Sequence, residues 1–151
     1  MPKPPILYGV QPEELDKYWP LVERQLVSEL EYADGKFNLK SIKDGLKLTE
    51  LQLWVVKQGD EISMSVVTQL VNYPAKKVML ILFLGGENFD EFKHLASMIF
   101  EFAEYWECES VEIYGRTGWK KKLKDLGFLQ IHSVYRLPLK MEIGKNEKNL
   151  H

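Results

Sequence analysis

Two glycines, Gly85 and Gly86, stand between a run of apolar residues and a segment with helical spacing. Glycine lets the backbone approach a ligand closely, and the first turn of a helix offers unpaired amide N–H groups and a partial positive charge. This junction therefore has the chemistry needed to hold a phosphate group. The same glycines can instead serve only to provide positive φ angles at a tight turn, and the sequence leaves both interpretations open.

A second turn bounded by glycines, Gly115 to Gly118, contains Arg116 and is followed by Trp119. The turn comes directly after a short predicted strand, and ligands of open α/β sheets bind beyond the carboxyl ends of the strands. We therefore expect Arg116 and Trp119 at the functional edge of the sheet, with Trp119 either touching a ligand or filling the core. The lysine-rich run 120–124 is expected either to meet phosphates or to form the solvated face of a short helix.

Other chemistries find little support. His94 and His132 have no histidine or cysteine at ligand spacing, so we predict no metal site. Cys108 lies between two glutamates, without a cation to activate it, and is predicted to be structural. A net charge of −2 and a pI near 6.0 provide no general attraction for nucleic acid or an anionic membrane. The start of the chain lacks an apolar signal segment, so a cytoplasmic protein is expected.

The length of 151 residues and the hydrophobic fraction of 45% fit one domain with a sizeable core. We predict that domain over residues 1–140, followed by a polar, disordered tail over 141–151. No apolar run approaches the roughly 20 residues that a membrane-spanning helix needs.

Two helices are predicted to precede every strand. The interior of a helix tolerates proline poorly, so Pro20 divides the first apolar stripe into a turn at Pro12–Tyr18 and a helix from Pro20 to about Leu30. A second helix follows at Leu39–Leu46, with Asn38 as its N-cap.

Three antiparallel strands come next, at Leu51–Lys57, Glu61–Asn72 and Lys76–Leu84. The third strand is apolar at every position from Val78 to Leu84, which indicates burial on both faces and a central place in the sheet. Helices must then cover both sides, and Gly85-Gly86 is expected to end the strand.

The remaining elements complete a parallel crossover and add a short helix and a last strand. A long helix is predicted over Asn88–Glu107, and the separation it creates requires the strand Ser110–Tyr114 to run parallel to the central one. A short helix at Trp119–Leu126 is expected to be capped by Gly127, and a last strand to follow at Gln130–Leu139. The apolar stripe of the long helix comprises Phe92, Leu95, Ile99, Phe102 and Trp106.

This order of elements resembles the GNAT superfamily of N-acetyltransferases, an α/β fold with a mixed sheet in which an antiparallel meander is followed by a parallel βαβ crossover. The most specific local likeness is the segment Val111–Phe128, which is similar to the strand, the short helix and the Leu-Gly-Phe ending of that family. The chain also looks like small GNAT-like proteins of tailed phages. That likeness lies in Leu53-Trp54-Val55, Tyr73-Pro74, Gly85-Gly86 and Ile113–Trp119.

The resemblance implies acetyl-CoA in a cleft between the central and the parallel strand. It places the cofactor at Leu84, Gly85, Gly86, Glu87 and Asn88, with Arg116 and Trp119 nearby. The chain departs from the family pattern here, because Glu87, Asp90 and Glu91 put carboxylates where the family binds a diphosphate.

The family's usual general acid is also missing. Many members carry a tyrosine at the position of Leu123, and Tyr114 or Tyr135 is the candidate substitute. A general base is left open among Glu50, Glu61, Glu112 and a water relay.

Two functions follow from the resemblance. The first is acetyl transfer from acetyl-CoA to an amine, in a protein whose site has partly degenerated. The second is a non-catalytic GNAT-fold phage protein that binds a virion or host protein, located in the host cytoplasm or the virion. The acceptor and the oligomeric state are not predicted.

Overall fold

A computed structural model of the protein describes residues 3–139, apart from 32, 34, 88 and 116. The strands of this part form one sheet in the order β1-β2-β3-β4-β5. They are β1 Ile6–Val10, β2 Gln52–Gln58, β3 Glu61–Asn72, β4 Lys77–Gly86 and β5 Ser110–Ile113. The helices are α1 Leu15–Leu30, α2 Leu39–Lys47, α3 Phe89–Leu95, α4 Ser97–Tyr105 and α5 Lys120–Asp125, with 3-10 turns at Pro12–Glu14 and Thr117–Trp119.

The predicted mixed sheet is confirmed. Strands β1 to β4 pair antiparallel in sequence order, and β5 pairs parallel with β4. Helices cover both faces of β4, which explains why nearly all of its residues are apolar. One core cluster joins α1 and α2 to the sheet through Val22, Ile42 and Phe83. The other joins α3 and α4 to the opposite face through Phe92, Ile99 and Met79.

The first strand was not predicted. Residues Ile6–Val10 form β1, which pairs with β2 at the sheet edge, so the prediction that two helices precede every strand is wrong. A five-residue segment interrupted by Gly9 carries little local strand signal, and its pairing partner lies far away in the sequence.

The predicted division of the first helix at Pro20 is also wrong. Helix α1 runs unbroken from Leu15 to Leu30 with Pro20 inside it. The lost hydrogen bond would have gone to the carbonyl of Asp16, and both residues are exposed, so water can serve that carbonyl. The N-cap of α2 is confirmed, because the Asn38 side chain accepts a hydrogen bond from the Ser41 amide at 2.8 Å.

Strand β4 ends at the glycine pair, as expected, but it includes both glycines instead of stopping at Leu84. Gly85 and Gly86 lie within β4 and are in register with Ser65 and Met64 of β3. The expected junction between strand and helix therefore falls at residues 87 and 88, of which 88 is outside the described residues.

The long helix predicted over Asn88–Glu107 is divided at Ala96 into α3 and α4. The buried side of these two helices is shifted by one residue from the predicted stripe. Ala96 and Ala103 are buried, whereas Leu95 and Phe102 are only partly buried. Trp106, predicted to be core, is 45% exposed. Small residues on the buried side let α4 approach the sheet, and the larger aromatic residues pack at the margin.

The end of the described chain contains one confirmed and one wrong prediction. Gly127 caps α5 with φ +98, and the amides of Gly127 and Phe128 donate to the carbonyls of Lys124 and Leu123 at 2.9 Å, as in a Schellman motif. The strand predicted over Gln130–Leu139 is absent from the structure, where this segment has no regular secondary structure. The tail 141–151 lies outside the described residues. Within the described part of residues 3–139, no helix is long and apolar enough to cross a bilayer.

Candidate functional site

Strand β4 parts from β5 at a bulge. Thr68 of β3 pairs with Ile81, and Val67 pairs with Phe83, so Leu82 is left over in the ladder. The pairing of β4 with β5 covers only Val78–Ile81 and stops at the same point. A bulge bends the strand that carries it and raises its local twist, which accounts for this coincidence.

Beyond the bulge, β4 has an open edge. The stretch 82–86 remains paired with β3 on one side and has no strand partner on the other among the described residues. Backbone N–H and C=O groups that face such an edge must find other partners. An extended ligand with amide groups can supply them by adding alongside the strand. The family resemblance implied a cleft at this position.

The two glycines in this stretch are accounted for by packing. A Cβ on Gly85 would lie less than 3.0 Å from the main-chain oxygen of Gln25 in α1, and a Cβ on Gly86 would meet the backbone of Ser63 and Met64 in the same way. Gly86 also has φ +116, which disfavours other residues. The space that a side chain would take at each glycine is therefore filled by protein and not left open for a phosphate.

The start of α3 is acidic but has a cation beside it. Glu87 is exposed, and Asp90 and Glu91 lie in the first turn of α3. The ammonium of Lys122 lies 5.1 Å from the centre of the Phe89 ring, so α5 brings a lysine to this helix start. Asn88, also proposed as a cofactor contact, is outside the described residues.

The turn after β5 joins the same edge of the sheet. A Cβ on Gly115 would press on the Leu123 side chain, so α5 folds back against this turn. Tyr114 directly follows β5 and is 64% exposed. Trp119 is partly buried against the second core cluster, as the core-filling interpretation predicts. Arg116 is outside the described residues.

The second tyrosine candidate is not brought to this edge. Tyr135 lies in the irregular segment after α5 and is 92% exposed, and it belongs to neither core cluster. The absence of the predicted last strand is the reason, because that strand would have carried Tyr135 back to the sheet. Among the two candidates, only Tyr114 lies at the end of a strand beside the open edge of β4.

A polar cavity that sequence reasoning missed lies on the α1 side of this edge. It is a depression open to solvent, of about 430 Å³, and is lined by Arg24, Gln25, Ser28, Ile62, Ser63, Gly86 and Glu87. Gln25 links α1 to β3 in the wall of the cavity. Its amide nitrogen donates to the Ile62 carbonyl at 3.0 Å, and its amide oxygen accepts a hydrogen bond from Ser65. Polar residues on the outer side of an amphipathic helix are common, so the only sequence signal was their spacing in α1.

The other titratable candidates from the sequence do not line the cavity. Burial raises the pKa of the Cys108 thiol, which disfavours the thiolate that a nucleophile needs. No group of three or more potential metal ligands is found within the described part of the chain. The open base candidates Glu50, Glu61 and Glu112 are exposed or half-buried, and none of them lines the cavity.

No protein family and no curated protein matches the sequence. Solved structures match the fold. One is a probable acetyltransferase, with a TM-score of 0.67, 14% identity and coverage of 89% of this chain and 97% of that one. Another is an aminoglycoside acetyltransferase from an uncultured soil metagenomic sample, with a TM-score of 0.65, 13% identity and coverage of 89% and 97%.

A third solved structure is the ribosomal-protein-alanine N-acetyltransferase of Brucella melitensis biovar Abortus 2308. Its TM-score is 0.65 at 10% identity, with coverage of 90% of this chain and 100% of that one. Likeness at these identities establishes the fold, and the chain has the GNAT acetyltransferase fold. The substrates of these proteins do not transfer to this chain through fold alone.

Proposed function

We propose that this protein is an N-acetyltransferase that uses acetyl-CoA as acyl donor and acetylates an amine held in the polar cavity. The observation that carries the proposal is the parting of β4 from β5 at Leu82, which leaves the backbone of 82–86 open at the carboxyl end of the strand. The likeness to acetyltransferase structures supports it.

The residues at this edge fit one part of the cofactor better than the other. The open strand edge suits the amide-bearing pantetheine arm, which can pair with main-chain groups. The phosphate end meets Glu87, Asp90 and Glu91, and Lys122 is the cation placed to offset them. The glycines contribute by letting α1 and β3 pack closely and not by cradling phosphates.

Bound acetyl-CoA would supply an activated acyl thioester, and the chain's own residues would hold the acceptor and move protons. The guanidinium of Arg24 and the carboxylate of Glu87 place opposite charges in one cavity. The hydroxyls of Ser28 and Ser63 also line it. Glu87 can hold an ammonium group and accept its proton, and Tyr114 can donate a proton from the end of β5. A suitable acceptor is a small amine that also bears an anionic or hydrogen-bonding group.

Calorimetric titration with acetyl-CoA tests the proposal, together with a thiol-release assay on a panel of small amines. We expect saturable heat, a higher melting temperature with ligand, and turnover with at least one amine. Binding only to the native state must stabilise it, so the absence of both heat and a melting shift at about millimolar ligand would refute the proposal.

Two variants locate the chemistry. Glu87→Gln is expected to lower kcat/KM for the amine while leaving acetyl-CoA affinity unchanged, and Tyr114→Phe to lower kcat with little change in either KM. Proton transfer by a positioned side chain contributes about a hundredfold or more in rate. Glu101→Gln, which changes an exposed acid of α4 outside the cavity, serves as the matched control.

The acidic start of α3 and the leucine at position 123 favour a second candidate, a non-catalytic GNAT-fold binding module. In this proposal the protein binds a virion or host protein, as the likeness to phage proteins implies, and needs no cofactor. The exposed apolar residues Leu21 and Val27 on α1 are its candidate contacts. A purified protein that turns over amines and captures no such partner would exclude it.

A further inference from the structure

A second cavity lies at the end of the sheet opposite to the open edge of β4. It is half-enclosed and has a volume of about 440 Å³, which is in the range of small-molecule sites. Strand β3 reaches both cavities, with Ser63 in the wall of the polar one and Leu70 in the wall of this one. A strand rises about 3.3 Å per residue, so roughly 23 Å separates these residues. The second cavity is therefore distinct from the proposed acetyl-CoA site.

The α4 side of this cavity is aromatic. The Trp54 and Phe102 rings meet edge to face with 5.1 Å between their centres, and Trp106 is 45% exposed beside them. Rings in such a wall favour a planar aromatic ligand, which can stack on them or meet their edges. We call this side the aromatic pocket, and it comprises Gly9, Gln52, Trp54, Leu70, Phe102 and Trp106.

The electrostatics of the cavity favour an uncharged ligand. None of the described residues that line it is charged, so an ion would lose hydration without gaining a partner. The carboxyl ends of α2 and α4 reach the cavity through Leu46 and Trp106, and their partial negative charge disfavours an anion. The Lys77 ammonium lies 5.4 Å from the centre of the Trp106 ring and is not part of the lining.

Gly9 of β1 leaves the Trp54 ring uncovered. A Cβ at position 9 would lie 3.5 Å from the six-membered ring of Trp54, which is an ordinary van der Waals distance. Gly9 also has no positive φ angle, and glycine weakens the interior of a strand. Crowding and backbone geometry therefore do not require glycine here, in contrast to Gly85 and Gly86. A larger side chain would extend across the indole and fill the pocket.

Gln52 supplies one polar group to the pocket. The buried Thr68 hydroxyl accepts a hydrogen bond from the Trp54 indole at 3.1 Å and donates to the Gln52 side-chain oxygen at 2.9 Å. This chain of hydrogen bonds uses the oxygen of the Gln52 amide. Its NH2 group has no hydrogen-bond partner within the described part of the chain, so it can donate to a ligand.

We propose that the aromatic pocket binds an uncharged, planar aromatic molecule that carries a hydrogen-bond acceptor such as a carbonyl oxygen. The rings of Trp54, Phe102 and Trp106 bury the apolar surface of this molecule, and the Gln52 NH2 group donates to its acceptor. The proposal does not rest on acetyl transfer, because the pocket lies at the other end of the sheet.

NMR titration of the isotope-labelled full chain with coumarin, a neutral two-ring molecule with a carbonyl group, is the first test. Saturable shifts are expected for the indole N–H signals of Trp54 and Trp106 at about millimolar ligand, whereas those of Trp19 and Trp119 stay unchanged. Coumarin-3-carboxylate adds a negative charge and is expected to bind about tenfold more weakly or worse. Unshifted Trp54 and Trp106 signals, equal shifts of all four indoles, or tighter binding of the carboxylate would overturn the proposal.

Two variants of the pocket walls locate the site. Gly9→Val is expected to raise the coumarin dissociation constant by about tenfold or more without lowering the melting temperature, since valine suits a strand. Trp106→Ala removes an exposed wall and is expected to weaken coumarin similarly. Tyr73→Ala, which truncates a tyrosine of equal exposure outside the cavity, is the matched control. Coumarin affinity that neither pocket variant changes would refute the site.

Gln52→Glu tests the polar contact. It keeps an oxygen for the Thr68 hydroxyl and replaces the NH2 group, so coumarin is expected to bind about tenfold more weakly. Indole, which has an N–H donor and no such acceptor, is expected to lose less affinity. Gln58→Glu places the same charge at the exposed far end of β2 and is the control. Equal losses for the two ligands would refute the role of Gln52 as donor.

Acetyl-CoA titration of Gly9→Val separates this site from the proposed function. The affinity for acetyl-CoA is expected to equal that of the wild-type chain, because the substitution lies at the opposite end of the sheet. If the wild-type chain binds no acetyl-CoA, the coumarin titration still decides the present proposal. Competition between coumarin and acetyl-CoA for one site would overturn it.

Discussion

Gly85 of β4 and Gln25 of α1 approach so closely that a Cβ at position 85 would stand less than 3.0 Å from the Gln25 main-chain oxygen. The contact lies between two backbones, so neither partner can relieve a clash by changing a side-chain rotamer. It fixes α1 against the part of β4 that lies beyond the bulge, which is the wall shared by the open edge and the polar cavity.

Replacement of Gly85 by alanine is therefore expected to destabilise the protein by about 2 kcal/mol, since overpacking a tight contact forces backbone shifts. Urea unfolding measures the change. Gly118→Ala is the matched control, because a Cβ there meets nothing within 4 Å, and its effect is expected to stay within about 0.5 kcal/mol. Equal stability of the two variants would contradict the packing account of Gly85.

Deletion of Leu82 removes the residue that has no partner in the β3 ladder. Val67–Phe83 and Thr68–Ile81 would then be consecutive pairs, so the sheet can remain intact while the bulge is lost. We expect a folded protein whose acetyl-CoA affinity falls by about tenfold or more. Circular dichroism checks the fold and calorimetry the affinity, and unchanged affinity in a folded variant would show that the bulge does not open the cleft.

Lys122 is expected to serve the phosphate end of the cofactor. Lys122→Ala should weaken acetyl-CoA binding by about tenfold or less, because the lysine is exposed, and should leave the binding of a phosphate-free acetylpantetheine donor unchanged. Lys47→Ala removes an exposed lysine from α2 and is the control. A loss that is equal for both donors would mean that Lys122 acts on the fold and not on phosphate.

A polar cluster beside β1 sets the expected response to pH. The Tyr8 hydroxyl donates to the Glu14 carboxylate at 2.6 Å, and this hydrogen bond raises the pKa of Tyr8 from 10.0 to about 12. It also lowers the pKa of Glu14. The Lys57 ammonium donates to the Tyr18 hydroxyl at 2.9 Å, which raises the pKa of Lys57.

The signs follow from linkage. The raised pKa values of Tyr8 and Lys57 give stability that is present below about pH 10 and is lost as the pH rises toward 12. The lowered pKa of Glu14 gives stability that is present above about pH 4.5 and is lost as the pH falls. Tyr8→Phe should flatten both limbs of a urea-midpoint profile, with the Lys57 part of the alkaline limb retained. Tyr73→Phe, an exposed tyrosine, should leave the profile unchanged.

Sequence reasoning recovered the elements whose signals are local. Strand β3 was predicted with its observed bounds, and the caps at Asn38 and Gly127 follow from side-chain and glycine chemistry within a few residues. Strand β1 and the bulge at Leu82 depend on pairing between distant segments, and their own residues carry no pattern that indicates this pairing. Pro20 was misjudged because its cost depends on whether water reaches Asp16.

The cofactor-binding role of residues 84–88 remains a prediction, and only part of their structural setting could be inferred from the sequence. The stretch Leu84–Glu87 does lie at the open edge, but the structural role of its glycines depends on how closely α1 approaches, which spacing does not reveal. The polar cavity also requires α1 and β3 to be placed together. The segment 129–139 has a strand period in its sequence but forms no strand in the structure, because a period alone does not supply a pairing partner.

The two core clusters are completed by residues at different points along the sequence. All buried residues of the α1 side lie at or before Phe83, whereas the opposite side needs residues up to Ala103. During synthesis from the amino end, the first hydrophobic layer can consolidate while the residues that cover the other face are still inside the ribosome. The nascent protein then exposes an uncovered sheet face for an interval, and that face is the natural target of a chaperone.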